Sequence, residues 1–192
     1  MVKAMRKTFH FVLLTGLILL FAAPASADAS SQFVFAGIRT PDADNVTQFR
    51  FSMLFASNKD VSGFDLGLVS IAESQNFNGF GPLFAIANVE GTSNGCLCSF
   101  ANFVGGQSKG VNAGLLNVLQ KDSAGVNLGF LNVTSGTSNV DVSALAFSEE
   151  SKIQVGLVNV TDKIQSVQIG FLNFAKNGFF PVFPFVNFPK SD

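Results

Sequence analysis

This sequence predicts an all-β repeat protein wound as a parallel β-solenoid, and three observations carry that reading. A nine-residue phrase, fullest at residues 166–174 as SVQIGFLNF, recurs along most of the chain. Its fifth position is small in every copy, and its eighth is asparagine in six of nine. The copies begin at Gln48, Gly63, Gly81, Gly95, Gly110, Gly125, Asn139, Lys152 and Ser166, so successive starts lie 13 to 18 residues apart. Such regular spacing marks one unit copied many times. It is too short for a strand plus a crossover helix, which alone needs roughly a dozen residues.

Laid under one another, the copies form columns. The second runs from Phe49 and Phe64 through Cys96 and Val111 to Val167, and the fourth from Phe51 to Ile169. The third is polar in most copies: Arg50, Asp65, Asn112, Asn127, Asp141, Gln154 and Gln168. The sixth is apolar, and the eighth holds Asn88, Asn102, Asn117, Asn132, Asn159 and Asn173. Alternate residues of a strand face the same way. Each phrase therefore reads as one strand of about eight residues, with columns two, four, six and eight on an apolar inner face. The polar third column then leans outward. Glycine and β-branched residues crowd the phrase interiors, which argues against a helix.

About nine coils of 14–15 residues fit a solenoid, in which like residues stack on like and the asparagines form an internal ladder. The small column would sit where the coil bends. The alternative is an antiparallel up-and-down outer-membrane β-barrel of about ten strands. A one-strand repeat suits a barrel poorly, because antiparallel neighbours are not equivalent. Barrel girdles usually include Trp and Tyr, and this sequence has neither.

Around the repeats, the chain divides simply. Residues 1–27 read as a signal peptide: Lys3, Arg6 and Lys7, an apolar run over 9–23, then Ala25-Ser26-Ala27 before Asp28. Residues 28–47 give an N-terminal strand and cap, 48–174 the tandem repeats, and 175–192 a Phe/Pro-rich C-terminal cap. Pro181 and Pro184 bar a central strand there, and a cap covers the last layer of a repeat array. Three of the 12 basic residues fall in the leader, leaving nine against 13 acidic ones, a net charge of −4. Nucleic acid, which calls for clustered Lys and Arg, is not indicated.

The phrases resemble bacterial surface-repeat proteins of the leptospiral type. The matching stretches are residues 111–118, 126–133, 155–160 and 167–174, followed by the ending NGFFPVFPFVNF over 177–188. The resemblance implies a cell-envelope or surface location and carries no enzymatic residues, ligand or cofactor with it.

The residues themselves point the same way. The sole His, His10, lies in the leader, so a Ser-His-Asp or Cys-His centre has no base. Cys96 and Cys98 replace Val and Leu in columns two and four and read as small buried hydrophobes; no further Cys or His is there to complete a metal site. A disulfide between them is awkward on a strand. Asp65 and Asp141 are the best carboxylates for acid-base chemistry, but five copies separate them, too far for a working pair. No catalytic, metal or cofactor site is expected, and the chain reads as non-enzymatic. The expectation is an exported envelope or surface protein, periplasmic or in the outer membrane, structural or adhesin-like. Its partner would be a glycan or a host or envelope protein, met through a repetitive β face. An outer-membrane association belongs to the barrel alternative.

Overall fold

The structure, a computed structural model, describes residues 26–190, and these are all-β. The leader expected over 1–27 lies outside the described residues, apart from Ser26 and Ala27. The chain opens with β1 (Ser26–Phe35) and a short antiparallel return, β2 (Ile38–Thr40). A long run of extended backbone, β3 (Ala43–Val89), then winds through several coils. The middle coils break cleanly into short strands: β4 (Ser93–Cys98), β5 (Ala101–Val104), β6 (Ser108–Ala113) and β7 (Leu116–Leu119). A second long run, β8 (Ser123–Ala175), completes the repeats, and β9 (Val182–Asn187) closes them.

Every pairing between repeat strands is parallel and in phase. β4, β6 and the start of β8 stack as one sheet, with Gly95 opposite Gly110 and Val111 opposite Val126. β5, β7 and β8 stack as a second, with Asn102 opposite Asn117 and Asn117 opposite Asn132. This is a β-solenoid, and the barrel alternative is ruled out because its neighbouring strands would run antiparallel. Among the described residues antiparallel pairs occur only at the ends: β2 beside β1, β9 beside the last rung of β8, and a bridge between Gly178 and Pro189. These closures spare the outermost rungs a fully open edge, which would otherwise invite another chain.

Each phrase is two strands, not the single strand expected. In the coil of residues 108–119, Ser108–Ala113 lies in one sheet and Leu116–Leu119 in the other, with Gly114 and Leu115 at the bend. The small fifth column makes that bend by making room. A Cβ on Gly129 would sit 2.8 Å from Asn132 Oδ1 and 2.9 Å from Asn117 Nδ2, in the path of the asparagine stack.

The bend also resets the alternation, and this overturns the expected faces. Before it, columns three and five point inward; after it, columns eight and ten do. Arg50, Asp65, Asn112, Asn127, Asp141, Gln154 and Gln168 are all buried, as are Asn102, Asn117, Asn132, Asn159 and Asn173. Columns two, four and six point outward instead. The asparagines of column eight are internal as expected, whereas the polar third column and the apolar columns two, four and six have exchanged sides.

Stacking explains why polar side chains tolerate burial here. Strands one rung apart lie about 4.8 Å from each other, which lets a carboxamide bond to its copy above. Asn102 Nδ2 donates to Asn117 Oδ1 at 2.7 Å, and Asn117 Nδ2 to Asn132 Oδ1 at 2.8 Å. Asn159 repeats the contact with Asn173 at 2.8 Å. A buried polar group with its partner in place costs little; an orphan costs about 1–3 kcal/mol. A smaller apolar cluster of Val61, Phe77, Ala87, Val89, Leu97, Val104 and Leu119 fills the rest of the interior.

One copy is phased differently from the sequence alignment. Gly79, not Gly81, stands opposite Gly95, and Ala87, not Asn88, opposite Asn102. The slip is two residues at Gly79 and one at Ala87, because one extra residue lies between Gly81 and Ile86 and the offset falls from 16 to 15 across it.

The ladder has two open ends where the eighth column is alanine. Asn102 Oδ1 and Asn159 Oδ1 are buried with no hydrogen-bond partner. Ala87 precedes the first by pairing, and Ala146, fully buried, precedes the second by repeat position. Replacing Ala146 with Asn supplies the missing amide. Urea denaturation of Ala146→Asn is expected to show a gain of about 1 kcal/mol, whereas Ala146→Val supplies no donor and shows none.

Candidate functional surface

The sequence singled out Asp65, Asp141, Cys96 and Cys98 as the residues with chemical potential, and the fold commits the two aspartates to its interior. Asp65 is fully buried and paired face to face with Arg50. Arg50 Nε reaches Asp65 Oδ1 at 3.0 Å, and Nη2 reaches Oδ2 at 2.6 Å. Arg50 Nη1 also donates to Asn58 Oδ1 and to the Glu73 carbonyl, both at 3.0 Å. A guanidinium satisfied on three sides is a lock across coils, with no acidic oxygen left to meet a substrate. Asn58 in turn donates to Gln32 Oε1 at 2.9 Å, which ties this lock to β1.

Asp141 plays a different part. From one side the amides donate in series, Asn112 to Asn127 and Asn127 Nδ2 to Asp141 Oδ1, each at 2.8 Å. From the other, Asn187 donates to Gln168 Oε1 at 3.3 Å and Gln168 to Gln154 Oε1 at 2.8 Å. The two series run toward Asp141, where an acceptor-only side chain is the natural meeting point. Burial pushes its carboxyl above the ordinary 3.8, and hydrogen bonds from Asn127, Ser138 and Gln154 offset that only in part. Asp65 and Asp141 stay on separate rungs and never approach as a pair.

Cys96 and Cys98 depart from the expected burial. Both are half-buried on the outer side of β4, with Sγ atoms 2.7 Å apart. Burial pushes the Cys96 thiol up to about 12, assisted by a hydrogen bond and charge repulsion from Cys98. At neutral pH it is a protonated thiol and a poor nucleophile. Among the described residues no three His, Cys, Asp or Glu side chains converge as a metal site would require. A polar groove beside the N-terminal coils is lined by Arg39, Asp44, Asn58, Lys59, Glu73 and Glu90. Two of its lining groups, Asn58 and the Glu73 carbonyl, are already bonded to Arg50.

What the fold does present is its bend. Column six and the matching residues of the first coils include Leu54, Val69, Phe84, Phe100, Leu115, Phe130, Leu157 and Phe171, each 51–74% exposed, with the half-buried Ala144 the one small member. They form a ridge along the outside of the bend. In the later coils a glycine or serine precedes the column-six residue, as in Ser99-Phe100, Gly114-Leu115 and Gly129-Phe130. In the first three coils the exposed residue itself is left-handed: Leu54 at φ 68°, Val69 at 47° and Phe84 at 56°. That conformation is uncommon for any non-glycine residue and an outlier for a β-branched one. Sequence alignment could have found the ridge from its apolar sixth column. It was hidden by the assumption that an apolar column faces in.

Charge avoids this ridge altogether. Between columns two and nine of every copy, the only charged residues are Arg50, Asp65 and Asp141, all buried. The exposed charges of the repeats sit in the spacers, on the edge opposite the bend, or in column one at Lys152.

Two outcomes test the interior. Arg50→Met strands the Asp65 carboxylate in the core, and urea denaturation is expected to show a loss of about 3–5 kcal/mol. Arg50→Met/Asp65→Leu removes both charges and recovers most of it. For Asp141, a folded-state value raised above the unfolded one means a contribution present below the unfolded value and lost as pH rises through the folded one. Asp141→Asn abolishes that dependence. Thermal melts across this range are expected to show wild type losing stability relative to Asp141→Asn as pH rises. A scan against protein-family models and searches of curated proteins and of solved structures return no match, so the functional reading rests on this geometry.

Proposed function

We propose that this chain is an exported, non-enzymatic protein of the cell envelope or surface. Its solenoid is structural, and it binds, adhesin-like, through a repetitive β surface. The carrying observation is the division of labour in most coils. Polar groups that chemistry would need are turned inward and bonded to one another, while the surface repeats one apolar motif rung after rung. A long regular face suits extended binding. The leader-like residues 1–27 and the resemblance to surface-repeat proteins support the envelope placement.

The geometry alters which face would do the binding. A glycan-reading ladder built from the third column is excluded, because that column is buried. The face on offer is the apolar one.

Fractionating cells that express the full chain with a C-terminal tag tests the placement. The expected product begins at Asp28 and appears in the envelope fraction. An uncleaved chain in the cytosol would overturn the proposal.

A further inference from the structure

The apolar ridge at the bend has its own continuity, and it runs past the repeats at both ends. At the N-terminal end Phe35 lies opposite Met53, at the bend, and Phe35 and Ile38 of the β1–β2 turn are more than half exposed. At the C-terminal end β9 crosses the last bend, with Phe185 opposite Gly170 and 68% exposed. All five non-glycine residues of the described chain with positive φ lie along this line: Ala36, Leu54, Val69, Phe84 and Phe185. Glycine would hold that backbone without steric cost. Keeping Leu, Val and Phe there puts strain into the backbone and apolar surface into solvent at the same positions, a combination that points to function.

We infer that this ridge is a docking edge for a lipid surface, seated in one leaflet of a bilayer. The inference deepens the envelope proposal by naming the partner, and it rests on that proposal for its biological setting. Three features select lipid over a second copy of the chain. First, the apolar columns wrap the molecule on three sides, from column two round the bend to column nine. A rigid partner covers one such side, whereas fluid acyl chains cover all three together. Second, the exposed charges of the repeats occupy the remaining side, where headgroups and water would meet them. Third, the dimensions agree. Columns two to six span roughly 13 Å at about 3.3 Å per residue, close to half of a hydrocarbon core about 30 Å thick.

Spanning the bilayer is excluded by the backbone. A solenoid has strand edges at both ends, and hydrocarbon does not accept unpaired backbone groups. The molecule lies along the surface, its ridge roughly 40 Å long at about 4.8 Å per coil. The exposed spacers carry Lys59, Lys109, Lys121 and Lys163 together with more numerous carboxylates. Attachment is therefore apolar in origin and needs no anionic lipid.

Flotation of the chain from Asp28 with neutral phosphatidylcholine vesicles tests this. Wild type is expected to co-float, equally at low and high salt. Phe100→Ser/Leu115→Ser/Phe130→Ser/Leu157→Ser is expected to cut the vesicle-bound fraction at least tenfold. A second variant separates binding from folding. Leu54→Gly/Val69→Gly/Phe84→Gly relieves the left-handed strain, so it keeps the β spectrum and the melting temperature while losing vesicle binding. Lys121→Gln/Lys163→Gln, on the opposite edge, floats like wild type. A wild-type chain that stays at the bottom of the gradient overturns the inference, as do ridge variants that float unchanged. A discrete wild-type dimer in buffer, dissolved by the same ridge substitutions, overturns it in favour of a second copy. Because the vesicles are synthetic, the flotation result stands apart from the fractionation result, and each can fail alone.

Discussion

The constraint on which this structure depends is the bonding of each inward amide to its own copy one rung away. Asparagine and glutamine are poor core residues when isolated, because each carries a donor and an acceptor that both need partners. Repetition supplies those partners automatically. Once Asn102, Asn117 and Asn132 stack, their carboxamides satisfy one another in series. The apolar residues are then left to the outside. They repeat there with the same regularity, and the phenylalanines of the first coils stack, Phe49 on Phe64 on Phe80, with ring centroids about 6 Å apart.

A ladder must begin and end somewhere, and this chain ends its ladders in identifiable ways. The third column runs from Gln32 in β1 to Asn187 in β9, so both closing segments contribute a carboxamide to the interior they close. In between, the amides do not all point one way. The reversal falls at Asp141, whose carboxylate accepts without donating. Nearer the N-terminus the column changes from amides to an ion pair, Arg50 with Asp65, and then to the apolar Leu97. Buried ion pairs are weak sources of net stability, but breaking one partner is costly. The pair therefore fixes the register of the early coils more than it strengthens them.

Much of the architecture was legible in the sequence, and the part that was not has a single physical origin. The repeat length excluded helices, the asparagine column announced stacking, and the small fifth column marked the bend. What failed was the assignment of sides. Alternation was carried straight through the phrase, but the bend between Gly114 and Leu116 consumes a residue and reverses it, so column eight joins column three. The rule that apolar columns face inward then completed the error and placed Asp141 and Gln168 outside. Cys96 and Cys98 followed their column outward for the same reason. The phase slip arose at Gly79 and Gly81, where glycine-rich wording permits two alignments and only pairing decides between them.

The central claim is the inversion itself, with polar side chains inside and apolar ones outside. It is tested most directly at two adjacent residues of one coil, in a Cys96→Ala/Cys98→Ala background with a single new cysteine. Asn127 is fully buried in the third column and Leu128 is exposed in the fourth. The measurement is the rate of modification by a water-soluble maleimide at pH 7, with and without denaturant. Leu128→Cys is expected to react in the folded protein nearly as fast as in denaturant, and Asn127→Cys only after unfolding. Protection of Leu128→Cys together with rapid reaction of Asn127→Cys would contradict the inverted coil.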